Sequence, residues 1–304
     1  MADFDINILG CGSALPTMRH LATSQVVNLR DKLYMIDCGE GTQLQMRRMK
    51  LKFSRLNHIF ISHLHGDHCF GLPGLISTLG LLGRNGTLFI HAAKEIEEFM
   101  RPVMNVFCKN LPYDVQFELI DPYKNELIFE DRSLRVFSIP LKHRVSSCGF
   151  LFEEKPKEAN IIREMIDFYK VPVRALKDIK CGADFVTDDG EVVANSRLTR
   201  PASLPKRYAF CSDTMFNPDI IPIIKGVDLL YHEATFCEDA KGRAKETYHS
   251  TAAQAAEIAK RAEVKRLLIG HYSARYEDTA CFKKEADAIF PGTILANEGL
   301  RLSL

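Results

Sequence analysis

Four potential metal ligands fall within six residues directly after an apolar run, in the string Ile59-Phe-Ile-Ser-His63-Leu-His65-Gly-Asp67-His68. Side chains of an extended chain alternate with a period of two, so His63 and His65 point to one side. The chain then turns at Gly66 and enters a helix, which swings Asp67 and His68 toward a second position nearby. Imidazole nitrogen and carboxylate oxygen both suit divalent zinc, so one short loop can serve two neighbouring ions. Two ions need more than four ligands. Three later apolar runs end in further candidates, at Leu141-Lys-His143, Cys211-Ser-Asp213-Thr214 and Ile269-Gly-His271. Functional residues of α/β folds gather just beyond strand ends. With its two oxygens, Asp213 is suited to bridge both ions.

The surrounding pattern supports an α/β chain. Strands are expected at Asp5–Leu9, Ser24–Arg30, Lys32–Asp37, Asn57–Ser62, Leu134–Pro140, Arg207–Ser212, Val227–His232 and Arg266–His271. Helices are expected over Asp67–Leu82, Pro218–Lys225, Thr251–Ala262 and Thr279–Ile289, the third opened by a capping box of Thr251 and Gln254. Glu153–Lys206 breaks this rhythm. It is charged and irregular and holds Pro156, Pro172, Pro201 and Pro205. A stretch of that length inside a compact domain is a functional excursion rather than a plain loop. It is read as an arm inserted into one domain spanning residues 1–304.

Charge limits the partners. With 40 Lys+Arg against 39 Asp+Glu the net charge is +1, so a nucleic acid would have to be met by local patches rather than a basic whole. Two such patches exist. Arg47, Arg48, Lys50, Lys52 and Arg55 run without an acid just before the metal strand, and the arm holds Lys170, Arg174, Lys177 and Lys180 against Asp178. The nine cysteines are scattered without a CxxC pair, which fits neither a disulfide framework nor a zinc ribbon and suggests reduced thiols in a cytoplasmic protein. The opening MADFDINILG has no basic n-region and runs straight into a strand pattern, unlike a signal peptide. No apolar stretch approaches the ~20 residues of a membrane span.

The HxHxDH string of His63–His68 resembles the metallo-β-lactamase superfamily, whose members include β-lactamases, lactonases, thioester hydrolases and DNA-repair nucleases. A narrower set of strings resembles one family within it, ribonuclease Z (tRNase Z, the tRNA 3′-processing endoribonuclease). They are Gly10-Cys-Gly-Ser-Ala-Leu-Pro16, Asp37-Cys-Gly-Glu-Gly-Thr-Gln43, Gly71-Leu-Pro-Gly-Leu75, His232-Glu-Ala-Thr235, His249-Ser-Thr251 and His271-Tyr-Ser-Ala-Arg-Tyr276. The likeness runs from about residue 5 to 300. It implies an αββα sandwich, two mixed β-sheets flanked by helices, carrying an inserted substrate-binding arm.

The resemblance also implies roles. Two zinc ions would be held per chain, one by His63, His65 and His143 and the other by Asp67, His68 and His271, with Asp213 bridging. Asp67 would double as general base, and Asp37 would stand behind a ligand histidine and orient it. The departing ribose 3′ oxygen needs a proton; His249 is the candidate donor, with Glu233 holding its imidazole and His232 nearby. Arg47, Arg48, Lys52, Arg55, Lys170, Arg174, Lys177 and Lys180 are candidates for contact with the phosphates of precursor tRNA. In the family a comparable arm grips the tRNA body and reaches over from the partner subunit of a homodimer. The chain departs from the family pattern at Val171-Pro172-Val173-Arg174, where the arm tip usually carries a Gly-Pro pair, and it lacks a proline-containing basic loop that some members have before the metal strand. The ligand types also accept manganese, iron or cobalt. A small-molecule hydrolase of the same fold, such as an arylsulfatase, lactonase or cyclic-nucleotide phosphodiesterase, shares the metal motif, but the HEAT and HST strings and the arm favour the nuclease.

Overall fold

A computed structural model describes residues 4–15 and 17–304, and the chain divides into two compact units. The larger comprises Met1–Glu130, Arg135–Phe152 and Lys206–Leu304. It is built on two seven-stranded sheets. The first has the order Arg301–Ser303, Phe4–Gly10, Ser24–Leu29, Lys32–Ile36, Leu56–Phe60, Leu88–Ala92, Val115–Leu119. Its first four strands pair antiparallel and the rest parallel. The second has the order Ile294–Leu295, Leu267–Gly270, Leu229–Glu233, Arg207–Cys211, Cys148–Glu154, Leu134–Pro140, Leu127–Glu130. It is parallel across its first four strands and antiparallel at the far edge.

Period-two alternation decides what each sheet face meets. On Lys32–Ile36, Leu33 and Met35 join a cluster with Met46, Leu75, Ile76 and Ile96 from the helices Thr42–Arg48, Leu72–Leu81 and Lys94–Phe107. Tyr34, between them, turns to the other sheet, its ring centroid 6.4 Å from that of Phe152. Phe60 likewise lies 5.5 Å from Phe150, and the Tyr208 hydroxyl bonds Gln25 across the same layer. The outer face of the second sheet is covered by Ala252–Arg261, which packs on Ala280–Asp287. Thr251 caps the former as expected: the Gln254 N–H donates to Thr251 Oγ1 at 3.2 Å, and the Thr251 N–H donates to Gln254 Oε1 at 3.0 Å. Helix, sheet, sheet and helix make the αββα sandwich, with aromatic rings filling its middle layer.

One element differs from its expected form. The helix expected over Asp67–Leu82 is two helices, Gly66–Cys69 and Leu72–Leu81. Between them the backbone presses against the loop after Lys32–Ile36: the Gly71 N–H donates to the Cys38 carbonyl (2.8 Å) and the Cys38 N–H to the His68 carbonyl (2.7 Å). A Cβ at Gly71 would collide with the Gly39 carbonyl oxygen. This contact locks the short metal-loop helix to the Asp37 loop. Gly71→Ala is therefore expected to destabilise the fold by about 1–3 kcal/mol, read as a lower denaturation midpoint. An unchanged midpoint would show that the loop relaxes freely.

The smaller unit comprises Asp131–Leu134 and Glu153–Pro205. It is not irregular, as its composition suggested. Helices Arg163–Phe168, Leu176–Lys180 and Asn195–Leu198, a short hairpin of Phe185–Val186 with Val192–Val193 and an antiparallel pair of Asn160–Ile161 with Thr199–Arg200 surround a core of Ile166, Val171, Ile179, Val193 and Leu198. No described helix is long and apolar enough to cross a membrane.

Candidate metal centre

Asp67 and His68 lie on the short helix Gly66–Cys69, and other residues of the site stand just past strand ends. Asp37 follows Lys32–Ile36, His63 follows Leu56–Phe60, His143 follows Leu134–Pro140, Asp213 follows Arg207–Cys211 and His271 follows Leu267–Gly270. Asp37, Asp213 and His271 adopt left-handed backbone, with φ of 56°, 59° and 65°. Such a conformation costs a non-glycine residue roughly 1–2 kcal/mol and persists where the surroundings over-determine it. Here it bends three strand ends so that their side chains enter one pocket.

Two sets of donors form there. In the first, His65 Nδ1 lies 3.0 Å from His63 Nε2 and 3.3 Å from His143 Nε2, and Asp213 Oδ2 lies 3.5 Å and 3.7 Å from the same two nitrogens. In the second, His68 Nε2 and His271 Nε2 are 3.4 Å apart, Asp67 Oδ2 is 3.5 Å from each, and Asp213 Oδ1 is 3.2 Å and 3.1 Å from them. Ligands about 2.0–2.1 Å from a tetrahedral ion stand about 3.3–3.4 Å apart. Both sets have that spacing, and Asp213 gives one oxygen to each.

The outer hydrogen bonds explain why the inner nitrogens are available. His143 Nδ1 donates to the Tyr248 carbonyl (3.1 Å) and His68 Nδ1 to Asp37 Oδ2 (2.7 Å). His63 Nδ1 donates to Ser62 Oγ (2.9 Å), whose own hydrogen goes to Asp37 Oδ2 (2.9 Å). His271 Nδ1 donates to Thr235 Oγ1 (2.9 Å), whose hydrogen goes to Glu233 Oε2 (2.6 Å). These tautomers follow from the network. With Nδ1 so engaged, each ring turns its Nε2 inward, toward the carboxylate oxygens and the other ring nitrogens, where it can serve as a ligand.

Electrostatics agree. Burial keeps His63 and His65 below their usual pKa and lowers His143 to about 4, although Asp213 opposes each shift. Burial alone would also lower His68, but Asp213, Asp67 and Asp37 outweigh it and raise that ring well above its usual value. A metal ion must displace that proton, so loading releases protons and weakens as pH falls. Asp37→Asn keeps the shape but removes the charge behind His68 and Ser62. Metal affinity is expected to fall 10–100-fold in chelator competition; unchanged affinity would remove the orienting role.

A second constellation adjoins the first. Glu233, fully buried at the end of Leu229–Glu233, accepts N–H groups from Thr214 (2.8 Å), Ser250 (3.1 Å) and Thr235 (3.2 Å), the Thr235 hydroxyl, and His249 Nδ1 (2.8 Å). The HEAT and HST strings are thus two halves of one network around a carboxylate. A ring nitrogen of His249 lies within 4.8 Å of ligand atoms of Asp213 and His271. Burial would lower the His249 pKa, but Glu233, with Asp213 and Asp67 beyond it, raises it to about 9. That shift favours the protonated imidazole. Burial would raise the Glu233 pKa, yet His249 and His271 hold it down to about 2.

Sequence reasoning gave Thr235 no role, although it joins His271 to Glu233; its position two residues after Glu233 on the same strand face was the available signal. His232, expected nearby, is not brought to the site. It is one residue off that face and buried, its Nδ1 against the Glu233 carbonyl at 2.7 Å and its Nε2 without a partner among the described residues.

The basic candidates are dispersed. Arg47, Arg48 and Lys52 are exposed, and Arg55 pairs with Asp31. Lys170, Arg174 and Lys177 are exposed in the smaller unit, where Lys180 lies 3.8 Å from Glu158. Arg47, Arg48, Lys52 and Arg55 do not line the clefts over Asp67 and His249. The cleft over Asp67 and His65, about 450 Å³, is bordered by Arg144. The cleft over His249, about 280 Å³, is bordered by Arg144, Arg243 and Arg275. Arg144 and Arg275 come from two loops and Arg243 from the helix Lys241–Thr247, and no local run announces them.

Comparison with known proteins decides the family. A family model described as the anti-Pycsar protein Apyc1 matches residues 4–155, so the N-terminal half, with the HxHxDH string, belongs with that group. Ribonuclease Z of Parabacteroides distasonis is 76% identical over 304 residues, 100% of both chains. The chain belongs to the ribonuclease Z family. Human tRNase Z, short form, superposes with a TM-score of 0.70 at 27% identity, covering 98% of each chain. The metallo-β-lactamase fold protein YhfI from Bacillus subtilis, with a TM-score of 0.69 at 17% identity over 98% of each chain, shares the fold. The ribonuclease Z match extends beyond residue 155 to Asp213, Glu233, His249 and His271, the residues that complete both donor sets and the Glu233 network.

Proposed function

We propose that this ribonuclease Z family member is a two-zinc endoribonuclease that removes the 3′ trailer of precursor tRNA and leaves a 3′-hydroxyl on the tRNA. The observation that carries this is His249, its Nδ1 held 2.8 Å from Glu233 Oε1, beside two donor sets that share Asp213. Zinc bound in both sets would lower the pKa of an attacking water and neutralise charge on the scissile phosphate. The chain's own residues supply the proton traffic. Asp67, held ionised by His68 and His271 despite its burial, accepts the proton of the attacking water. His249 donates its proton to the departing ribose 3′ oxygen and returns to neutral. The Ala14 N–H, 2.8 Å from Asp67 Oδ2, fixes that carboxylate.

Arg144, Arg243 and Arg275 supply positive charge where the trailer phosphates enter, and Arg47, Arg48, Lys52 and the arm's Lys170, Arg174, Lys177 and Lys180 grip the tRNA body. The arm serves the active site of a partner subunit in a homodimer, in the cytoplasm. Incubation with a 3′-extended precursor tests the activity: the new ends should be a 3′-hydroxyl on the tRNA and a 5′-phosphate on the trailer. A 3′-phosphate, or an intact precursor beside hydrolysis of small phosphodiesters, would overturn it. Deleting residues 155–203 of the smaller unit is expected to weaken tRNA binding about 10–100-fold through lost phosphate contacts, while hydrolysis of a small phosphodiester persists. Equal loss of both would mark the arm as a folding element.

A further inference from the structure

Outside the dinuclear pocket, three chemically different donors converge where the chain's two ends meet. Cys11 Sγ lies 3.4 Å from His20 Nδ1 and 3.6 Å from Glu298 Oε1, and His20 Nδ1 lies 3.1 Å from Glu298 Oε2. The spacing that identified the two donor sets applies here too. With bonds of about 2.3 Å to sulfur and about 2.0–2.1 Å to nitrogen and oxygen, a tetrahedral zinc separates sulfur from the lighter donors by about 3.5 Å, and nitrogen from oxygen by about 3.3 Å. We propose that Cys11, His20 and Glu298 form a third metal site, for zinc or another thiophilic divalent cation, independent of the dinuclear centre.

The surroundings suit such a site. Cys11 is fully buried, so its sulfur is shielded from solvent, while the His20 and Glu298 side chains are 17% and 14% exposed and leave an entry path. That path opens on a cleft of about 650 Å³ bordered by Thr17, His20, Tyr272 and Asn297, where a water or a further ligand can complete the coordination. The donors are already oriented: Leu21 N–H donates to Glu298 Oε1 at 2.8 Å, and the His20 ring packs 5.3 Å from Tyr272. A thiolate and a carboxylate together balance a divalent charge, with the thiol proton released on binding. The position gives the ion a structural task. The Cys11 carbonyl accepts the N–H of His271 at 2.8 Å and of Tyr272 at 3.1 Å, so an ion on Cys11 braces the loop that presents a dinuclear ligand and ties it to residues 20 and 298.

Cobalt reconstitution tests this cleanly, because the dinuclear donors are all nitrogen and oxygen. A thiolate-to-cobalt charge-transfer band in the near ultraviolet must therefore come from a cysteine. The wild type is expected to bind about three ions per chain and to show the band. Cys11→Ser is expected to lose one ion and the band, with precursor cleavage changed less than about tenfold. His20→Ala, at a partly exposed position that tolerates truncation, is expected to weaken the third ion about 10–100-fold or more in chelator competition, the scale seen when an orienting or ligating contact is lost. Absence of the band in the wild type overturns the proposal, as does its persistence in Cys11→Ser. A band lost in Cys11→Ser from a protein that binds only one other ion supports the third site while overturning the dinuclear assignment, so the two fail separately.

Discussion

Asp213→Ala is expected to strip the protein of most of its metal and to lower precursor cleavage by about 10³–10⁴-fold, the several kcal/mol that metal ions contribute to charge stabilisation. The size of the effect follows from geometry. Asp213 is the one carboxylate placed in both donor sets, with Oδ2 toward His63 and His143 and Oδ1 toward His68 and His271. It is buried, which alone would raise its pKa, yet His271, His68 and His63 hold it well below the usual carboxylate range. The charge is thus present at every working pH, and its removal leaves Asp67 as the one carboxylate among the donors of both sets. Asp213→Asn preserves volume and one acceptor oxygen, so it separates charge from packing. If charge decides, both variants lose metal; if packing decides, only the alanine variant does. Two ions per chain and a rate within tenfold of wild type in Asp213→Ala would show that the two sets do not share this residue.

How much of this was legible depends on how local each signal is. The metal-loop ligands sit in one string after an apolar strand, and His143, Asp213 and His271 each follow an apolar run, so period and strand ends suffice to find them. Their convergence is set by left-handed turns at Asp213 and His271, which no residue type announced. Ser62 and Thr235 were invisible as functional residues because hydroxyls are common and their role depends on which ring nitrogen lies opposite. The strand Leu88–Ala92 and the helix Lys94–Phe107 were missed. The strand is only five residues long, and Pro102 inside the helix reads as a breaker. The arm's elements are two to six residues long, shorter than any window in which a period can be detected. Its core nevertheless forms, because Ile166, Ile179 and Leu198 come from three separate helices. The arginines at the cleft mouths come from two loops and a helix, and only the fold brings them together.

His249→Ala removes the proposed proton donor while leaving every donor of both metal sets in place, so metal content should stay at the wild-type level. Cleavage of precursor tRNA is expected to fall by about 10²–10⁴-fold, the contribution of general acid catalysis. The loss should depend on the leaving group. A nitrophenyl phosphodiester departs as a stabilised phenolate and needs little protonation, so its hydrolysis should fall far less. The pH profile gives a second, independent reading. As the proposed acid His249 acts while protonated, so activity should be present below its pKa and lost as pH rises through it. Glu233 and its neighbours raise that value to about 9 against the opposing effect of burial, and nearby bound cations would lower it again, which places the basic limb at or below pH 9. Glu233→Gln removes the largest raising influence and leaves burial opposed only by Asp213 and Asp67, so the limb should move to lower pH. It should do so for the tRNA and not for the activated ester. If tRNA and ester lose rate equally in His249→Ala with metal retained, or if the limb stays in place in Glu233→Gln, His249 is not the acid. His232 cannot then take its place, since its ring is buried one residue off the site-facing side of the strand, and the proton would have to come from solvent.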